Sequence, residues 1–396
     1  MKLSEELTWR GFVNQTTFKD ISVLDNEKLT FYWGVDPSAD SMTVGNLAAA
    51  MMVRHFMKAG HKAVLLVGGA TGMIGDPDGK DEERNLQSLE QIAKNKAAIA
   101  AQYKQVFAGM DFEIVDNYDW FKDMGYLNFL RDVGKHFSMT QLLDRDFVQS
   151  RIGKGGRGIS YAEFSYSLIQ GYDFLHLHRT KGVHLQVCGA DQWGNSLSGV
   201  ELIRKLEGHE AHVYSCPLII NKATGKKFGK SENGAVWLDP NRTSVFDFYQ
   251  FWLNVDDEGA EYYMKVYTLL EKDELDKIVA EFKQNPAGRL AQKTLAYEVT
   301  KLVHGKEEAD KAVEATKQLF SGEASEHAPT VELAEGEYDV TEVIVKAGLA
   351  ASNSEARRLF EQGGVKLNQQ KVEAQQVKIA KGDLIQVGKR KFAKVV

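Results

Sequence analysis

The first strong pattern along the chain is a short apolar run, TFYWGV, at residues 30–35. NLAAAMMVRHFMKAG follows, with apolar residues at helical spacing and a terminal glycine, Gly60. A second apolar run, KAVLLVGG, is long enough for a strand buried on both faces. Strand, turn, helix and strand together predict a βαβ unit. Further on, residues 85–110 predict a long helix, and residues 126–152 predict helical segments broken near Gly134. AEFSYSLIQGYDFLHLH predicts another helix, and VHLQVCGADQWGN a strand running into a glycine-containing loop. The alternation predicts an α/β fold with a doubly wound, mostly parallel sheet. Ligands of such sheets bind outside the carboxyl ends of the strands.

The pattern changes after Trp237. SVFDFYQFWLN, GAEYYMKVYTLL, KDELDKIVAEFKQN, GRLAQKTLAYEVTKLVHG and KEEADKAVEATKQLF are all helix-like. The expected organisation is an α/β domain over 1–236, a helical domain over 243–320, an acidic, small-residue linker over 321–337, and a module over 338–396 mixing helix with short strands. No internal repeat or low-complexity tract interrupts it.

Composition narrows the class. The 396 residues suffice for two or three domains, and 43% hydrophobic with 26% charged residues is ordinary for a soluble globular protein. No apolar run approaches the roughly 18 residues that span a bilayer, so no membrane role is expected. The N-terminal MKLSEELTWRGF carries charges where a secretory signal would be apolar. The cysteines, Cys188 and Cys216, are isolated, which argues against a disulfide framework or a structural zinc site. A reducing cytoplasm is the expected location. Net charge is −6, yet residues 337–396 hold 11 Lys+Arg against 7 Asp+Glu, a local +4, which leaves −6 − 4 = −10 on the rest. A basic tail on an acidic body points to an anionic partner for the tail.

Five stretches carry candidate chemistry. In GVDPSADSMTVGN, Pro37 ends the strand, Ser41 or Thr43 can cap the helix, and Gly45 permits close approach of a ligand, an arrangement open to an anion or to a plain turn. GGATGMIGDPDGK places four glycines ahead of Asp76 after the second strand, where backbone close to a ligand competes with a flexible loop. Tyr166, Gln170 and Asp173 fall at i, i+4 and i+7 on an otherwise apolar helix, a stripe for solvent or for a polar pocket. In LQVCGADQWGN, Gln186 lies within a strand, with Gly189, Asp191 and Gln192 just beyond it, as a ligand site or an Asx-type turn. TGKKFGKSENG interleaves Lys226, Lys227 and Lys230 with glycines, as a mobile clamp on phosphate charge or a solvated hairpin.

Taken in order, YWGVDPSADS, GGATGMIGDP, EFSYSLIQGYDF, GADQWGN and KFGKS resemble the motifs of bacterial tyrosyl-tRNA synthetase, over nearly the whole chain. KFGKS, residues 227–231, is similar to the KMSKS signature of class I aminoacyl-tRNA synthetases, and the tail GLAASNSEARRLFEQGGVKLNQQKV resembles an S4-type RNA-binding module of α+β character. The resemblance implies that Tyr32 and Asp173 grip the phenol hydroxyl of tyrosine, that Asp76, Tyr166 and Gln170 hold its ammonium, and that Gln186 lies beside it. It implies that Gly34, Asp36, Ser38, Thr43, Gly45, Asn46, Gly189, Asp191 and Gln192 line the ATP side. Lys227, Lys230 and Ser231 would close on pyrophosphate, with Lys80 and Arg84 as further phosphate contacts. Arg357, Arg358, Lys366 and Lys371 would touch tRNA, and residues 126–143 would form a homodimer interface. The implied substrates are L-tyrosine, ATP with its magnesium, and tRNA(Tyr), with no tightly bound cofactor and no protein-held metal.

One stretch departs from the family. SMTVGN aligns with a His-Ile-Gly-His tetrapeptide, so Thr43 and Asn46 replace two histidines. Asn46 retains a donor, whereas the Thr43 hydroxyl is short and never cationic. Direct or water-mediated action by Thr43, compensation by Lys80, Lys227 and Lys230, and weaker activation are all open. So are a tryptophan-activating relative and a non-catalytic RNA-binding protein on the same scaffold.

Overall fold

The computed structural model describes residues 1–77, 86–153, 155–156, 158–222, 224–225, 227–231, 234–321, 330–350, 352–388 and 391–396. Lys80, Arg84, Lys226, Lys389 and Arg390 lie outside the described residues.

Six strands form the main sheet: β1 (Gln15–Thr16), β2 (Thr30–Val35), β3 (Lys62–Val67), β4 (Phe112–Asp116), β5 (Val183–Gly189) and β6 (His212–Cys216). Their order is β1-β6-β5-β2-β3-β4, with every pair parallel except β1 with β6. From β2 the chain winds outward through β3 and β4, then returns to add β5 and β6 on the other side. The switch point therefore falls between β2 and β5, where Tyr32 is in register with Gln186. The mostly parallel sheet expected from the apolar runs is present.

The helix Val44–Lys58 begins at Thr43, one of the two expected caps, and buries Leu47, Ala48, Met51, Met52 and Phe56. The 21-residue helix Tyr161–Lys181 is capped by Ser160, whose hydroxyl accepts from the Glu163 N–H at 3.2 Å, and ends at Gly182 in the left-handed region. Residues 126–152 form short helices interrupted by a 3₁₀ turn at Gly134–His136. GADQWGN is not a loop throughout: Ala190–Gln192 is a 3₁₀ turn and the helix Trp193–Glu207 starts immediately after it.

The chain divides into two compact units, residues 1–242 with 256–291, and residues 243–255 with 292–396. This cut crosses the expected 243–320 helical domain. The helix Asp257–Tyr267 buries Ala260, Tyr263, Met264, Val266 and Tyr267 within the first unit. The guanidinium of Arg10, 1% exposed, donates to the carbonyls of Lys265, Thr268 and Leu270 at 2.8–2.9 Å and ties that segment to the N-terminal helix Leu3–Arg10. In the second unit, the helices Val245–Leu253 and Lys306–Ser321 meet through the Gln250 amide, which donates to Thr316 Oγ1 at 2.8 Å. The unit's β-rich part holds β9 (Thr330–Val331), β10 (Gly336–Asp339), β11 (Val365–Leu367), β12 (Gln370–Lys371), β13 (Gln376–Ile379), β14 (Leu384–Val387) and β15 (Lys391–Val395), numbered after a hairpin in the first unit formed by β7 (Lys230–Ser231) and β8 (Gly234–Ala235). Part of the expected 321–337 linker is thus strand: β9 pairs with β15, and β10 with β13. Leu384 and Phe392 share a buried cluster with Phe246 and Ala315, so this β-rich part is packed on the unit's helices.

Candidate active site

A cavity of about 300 Å³ opens at the carboxyl ends of β2 and β5. Tyr32, Gly34, Asp36 and Ser38 reach it from β2 and the turn beyond, and Thr43, Gly45 and Asn46 from the start of the 44–58 helix. Tyr166, Gln170 and Asp173 enter from one face of the 161–181 helix, so the polar stripe lines a pocket rather than facing solvent. Gln186, Gly189, Asp191 and Gln192 complete the β5 side, and Asp76 and Lys227 also line the cavity. Of the remaining expected residues, Lys230 and Ser231 lie in β7, after Lys227, Phe228 and Gly229, while Lys80 and Arg84 fall outside the described residues. Arg357, Arg358, Lys366 and Lys371 belong to the second unit and are exposed there.

The floor is a connected polar network. The Asp173 carboxylate, 2% exposed, accepts from Trp120 Nε1 at 2.9 Å and Asn117 Nδ2 at 3.1 Å. Burial pushes its pKa well above the usual carboxylate range, against these two donors, which stabilise the charged form. Asn117, fully buried, also accepts from the Ala70 N–H at 2.7 Å and donates to Thr71 Oγ1 at 3.1 Å. Thr71 in turn donates to Asp36 Oδ1 at 2.6 Å, and Tyr166 donates to Asp36 Oδ2 at 2.7 Å. Gln192 donates its amide to Asp76. The glycine run has a local reason: a Cβ at Gly68 would collide with the Thr71 hydroxyl and the Asp36 carboxylate.

Two buried polar atoms in the cavity wall, the Tyr32 hydroxyl and Gln186 Oε1, have no hydrogen-bond partner among the described residues. Burial, followed by the charge of Asp173, drives the Tyr32 phenol pKa well up, so it stays a neutral donor. An unpaired buried donor beside a carboxylate costs free energy unless a ligand atom meets it.

The mouth is closed on one side by the lysine stretch. Its hairpin, β7–β8, is anchored at both ends: Val44 N–H donates to Val236 O at 3.0 Å, and Phe228 stacks on Tyr263 with ring centroids 4.3 Å apart. Gly229 sits so close to the 44–58 helix that a Cβ there would come within 2.7 Å of Val44 Cγ2.

Sequence reasoning missed Thr71, Asn117, Trp120 and the two cysteines. Cys188 and Cys216 both line the cavity, and burial pushes the Cys188 thiol up to about 12, which makes it an inert wall.

Comparison with known proteins divides the chain at residue 321 rather than between the two compact units. A family model described as "tRNA synthetases class I (W and Y)" matches residues 24–321, and one for a "Tyrosine--tRNA ligase SYY-like C-terminal domain" matches residues 321–393. The chain is 44% identical to a tyrosine–tRNA ligase of Bacteroides thetaiotaomicron, over 97% of this chain and 95% of that protein. It is 43% identical to a tyrosine–tRNA ligase 2 of Bacillus cereus, over 94% of this chain and 92% of that one. Among solved structures it resembles a C-terminally truncated mitochondrial tyrosyl-tRNA synthetase of Aspergillus nidulans, with 31% identity, a TM-score of 0.73, and coverage of 81% of this chain and 94% of that one.

Proposed function

We propose, for a chain that belongs to the tyrosyl-tRNA synthetase family of class I aminoacyl-tRNA synthetases, how the residues of its cavity share the work. As a tyrosine–tRNA ligase it has L-tyrosine, ATP and tRNA as its substrates. Tyr32 and Asp173 receive the phenol hydroxyl of tyrosine, and Asp76, Tyr166 and Gln170 receive its ammonium, with Gln186 alongside. The observation that carries this reading is the buried Tyr32 hydroxyl, without a partner among the described residues and within the field of Asp173. A bound phenol satisfies it; phenylalanine leaves it and Asp173 unpaired and is rejected on that ground.

Gly34, Asp36, Ser38, Thr43, Gly45, Asn46, Gly189, Asp191 and Gln192 form the ATP side. The tyrosine carboxylate attacks the α-phosphate, the bond to the β-phosphate oxygen breaks, and pyrophosphate leaves. A terminal ribose hydroxyl of tRNA(Tyr) then takes the tyrosyl group and AMP departs. No side-chain nucleophile is required, because the substrate carboxylate is the nucleophile. The protein contributes positioning and charge stabilisation, with Lys227, Lys230 and Ser231 on the departing phosphates. Lys80 and Arg84 are proposed as additional phosphate contacts. Magnesium is proposed to arrive on the ATP as part of the substrate. Among the described residues, no group of three or more His, Cys, Asp or Glu is assembled for a metal of the protein's own.

Residues 126–143 are proposed to form a homodimer interface, supported by the exposed apolar side chains Leu127 at 78%, Tyr126 at 61% and Met139 at 58%. A cytoplasmic location is proposed with it. No described helix is long and apolar enough to cross a membrane. Tyrosine-dependent exchange of labelled pyrophosphate into ATP tests the central reading. Folded protein with no exchange above background sinks it, and faster exchange with tryptophan than with tyrosine transfers it to the other branch of the family.

A further inference from the structure

Resting on the reading of this cavity as an ATP site, we infer that Asn95 and Gln102 are positioning residues: from the helix Leu89–Val106 they set the main chain of the turn that presents Asp36, Ser38 and Thr43 to the nucleotide. Neither side chain lines the cavity. They stand seven residues apart on the face that the helix buries with Ile92 and Ile99, and are 1% and 8% exposed. Buried amides on an otherwise apolar stripe need partners, and both find them at the turn. Asn95 Nδ2 donates to the Pro37 carbonyl at 2.9 Å and to Gln87 Oε1 at 3.0 Å, and Gln87 donates to the Ser38 carbonyl at 2.7 Å. Gln102 Oε1 accepts from Met42 N–H at 2.7 Å, and its Nε2 donates to Ser41 Oγ at 2.9 Å. A carbonyl only accepts and a backbone N–H only donates, so both amide orientations are fixed by chemistry. Pro37, Ser41 and Met42 are buried, so their main-chain groups depend on such partners. Ser41 carries the hold further. Its hydroxyl accepts from Gln102 and from Asp239 N–H at 3.1 Å and donates to Met42 O at 2.8 Å, which also accepts from Leu238 N–H at 2.9 Å. Residues 238–239 follow the β7–β8 hairpin, so one network sets both the exit of the turn and the end of the lysine hairpin.

The experiment is calorimetric titration of wild type, N95L, Q102M, I99V and I99A with an ATP analogue carrying a methylene bridge between the α- and β-phosphates and, separately, with L-tyrosine. Thermal unfolding is followed for each, and pyrophosphate exchange for wild type. Leucine and methionine keep the side-chain volume and lose the hydrogen bonds, which frees the turn to move. N95L and Q102M are each expected to bind the analogue about tenfold more weakly. Their tyrosine affinity stays within about twofold of wild type, because Asp36 keeps Thr71 and Tyr166 on that side. The Ile99 variants lose packing on the same helix face and no hydrogen bond to the turn. They are expected to unfold at lower temperature and to bind both molecules like wild type, which separates positioning from stability. The two amides reach the same turn by separate bonds, so either variant carries the test if the other does not fold. Unchanged analogue affinity in a folded N95L or Q102M, an equal loss for tyrosine, or an equal loss in an Ile99 variant of matching unfolding temperature overturns the inference. Binding does not require turnover, so absence of pyrophosphate exchange in wild type with these affinity differences intact counts against the functional reading and not against this one.

Discussion

Trp120 and Asn117 each hold one oxygen of Asp173, at 2.9 and 3.1 Å, and so set the carboxylate proposed to meet tyrosine without lining the cavity themselves. Burial pushes the Asp173 pKa up and these donors push it back. In Trp120→Phe the charged form loses a donor and the carboxylate is free to turn. The KM for tyrosine is expected to rise about tenfold, with a smaller change in kcat. The sign of the pH effect follows. Losing a donor raises the pKa further, so the acid limb of kcat/KM moves to higher pH, and activity is lost earlier as pH falls. A pH profile of pyrophosphate exchange superimposable on wild type would count against this role. Tyr166, Gln170 and Asp173 were legible in the sequence because polar residues on an apolar helix stand out, whereas Tyr32 was reached only through the family resemblance. Asn117 and Trp120 were not, because they sit past the end of β4, a strand the apolar pattern did not reveal. None of its residues is fully buried and Glu113 is exposed, so no apolar run marks it. The signal was available in kind: polar residues just beyond a strand's carboxyl end, the same rule that singled out Gly189, Asp191 and Gln192.

At the scale of elements, the lysine stretch is held by a helix from a distant part of the chain. Tyr263 stacks under Phe228, its hydroxyl accepts from Lys222 N–H at 3.3 Å, and it stands 3.5 Å from the Ile220 carbonyl. Tyr263→Phe keeps the stack and is expected to retain most of the exchange rate. Tyr263→Ala frees the stretch and is expected to lower kcat at least tenfold with tyrosine affinity unchanged. Equal kcat in the two variants would remove this helix from the mechanism. The same helix is tied to the N-terminus by Arg10 and its ion pair with Glu6 at 3.1 Å. Glu6 is held at about 2 by its contact with His55, and by Arg10, against burial. Burial also pushes the His55 pKa down, so near neutral pH Arg10 carries the pair and His55 joins only in acid. Because the folded pKa of Glu6 is depressed, its stabilisation is present above the ordinary carboxylate pKa of 4.5 and is lost as pH falls toward 2. Glu6→Gln is expected to be less stable at pH 7 and to have a flatter stability profile across that window, read by denaturant unfolding. Arg10→Ala leaves three carbonyls and Glu6 without their donor, at a cost of about 3–5 kcal/mol. None of this pairing was legible, since the chain between Arg10 and Lys265 hides it. β9 failed to show for the same reason: two residues become a strand only because β15 lies beside them.

Over the whole molecule the charge is lopsided, +4 on residues 337–396 against −10 on the rest. In the tail, Lys366 stands directly opposite Lys371 across the β11–β12 hairpin, and both are exposed. Like charges in that register repel, an arrangement that an anion relieves. The Lys371 side chain passes over Gly363, near the end of the helix Asn353–Glu361 that carries Arg357 and Arg358, so the four cations belong to one neighbourhood of the module. A phosphate backbone is the anion that matches several separated cations, and each contact releases counterions on binding. Replacing Arg357 and Arg358 together by alanine is therefore expected to weaken tRNA(Tyr) binding and to reduce the slope of log K against log salt by about 1.4–1.8, the contribution of two phosphates. These arginines are exposed and lie outside the unit that forms the cavity proposed for tyrosine and ATP, so pyrophosphate exchange is expected to stay at the wild-type rate. Filter binding across a salt series and exchange kinetics on the same preparation separate the outcomes. An unchanged salt slope would mean that the tail's basic residues are a solvated face, and a fall in exchange would mean that the substitution disturbed the fold rather than the tRNA contact.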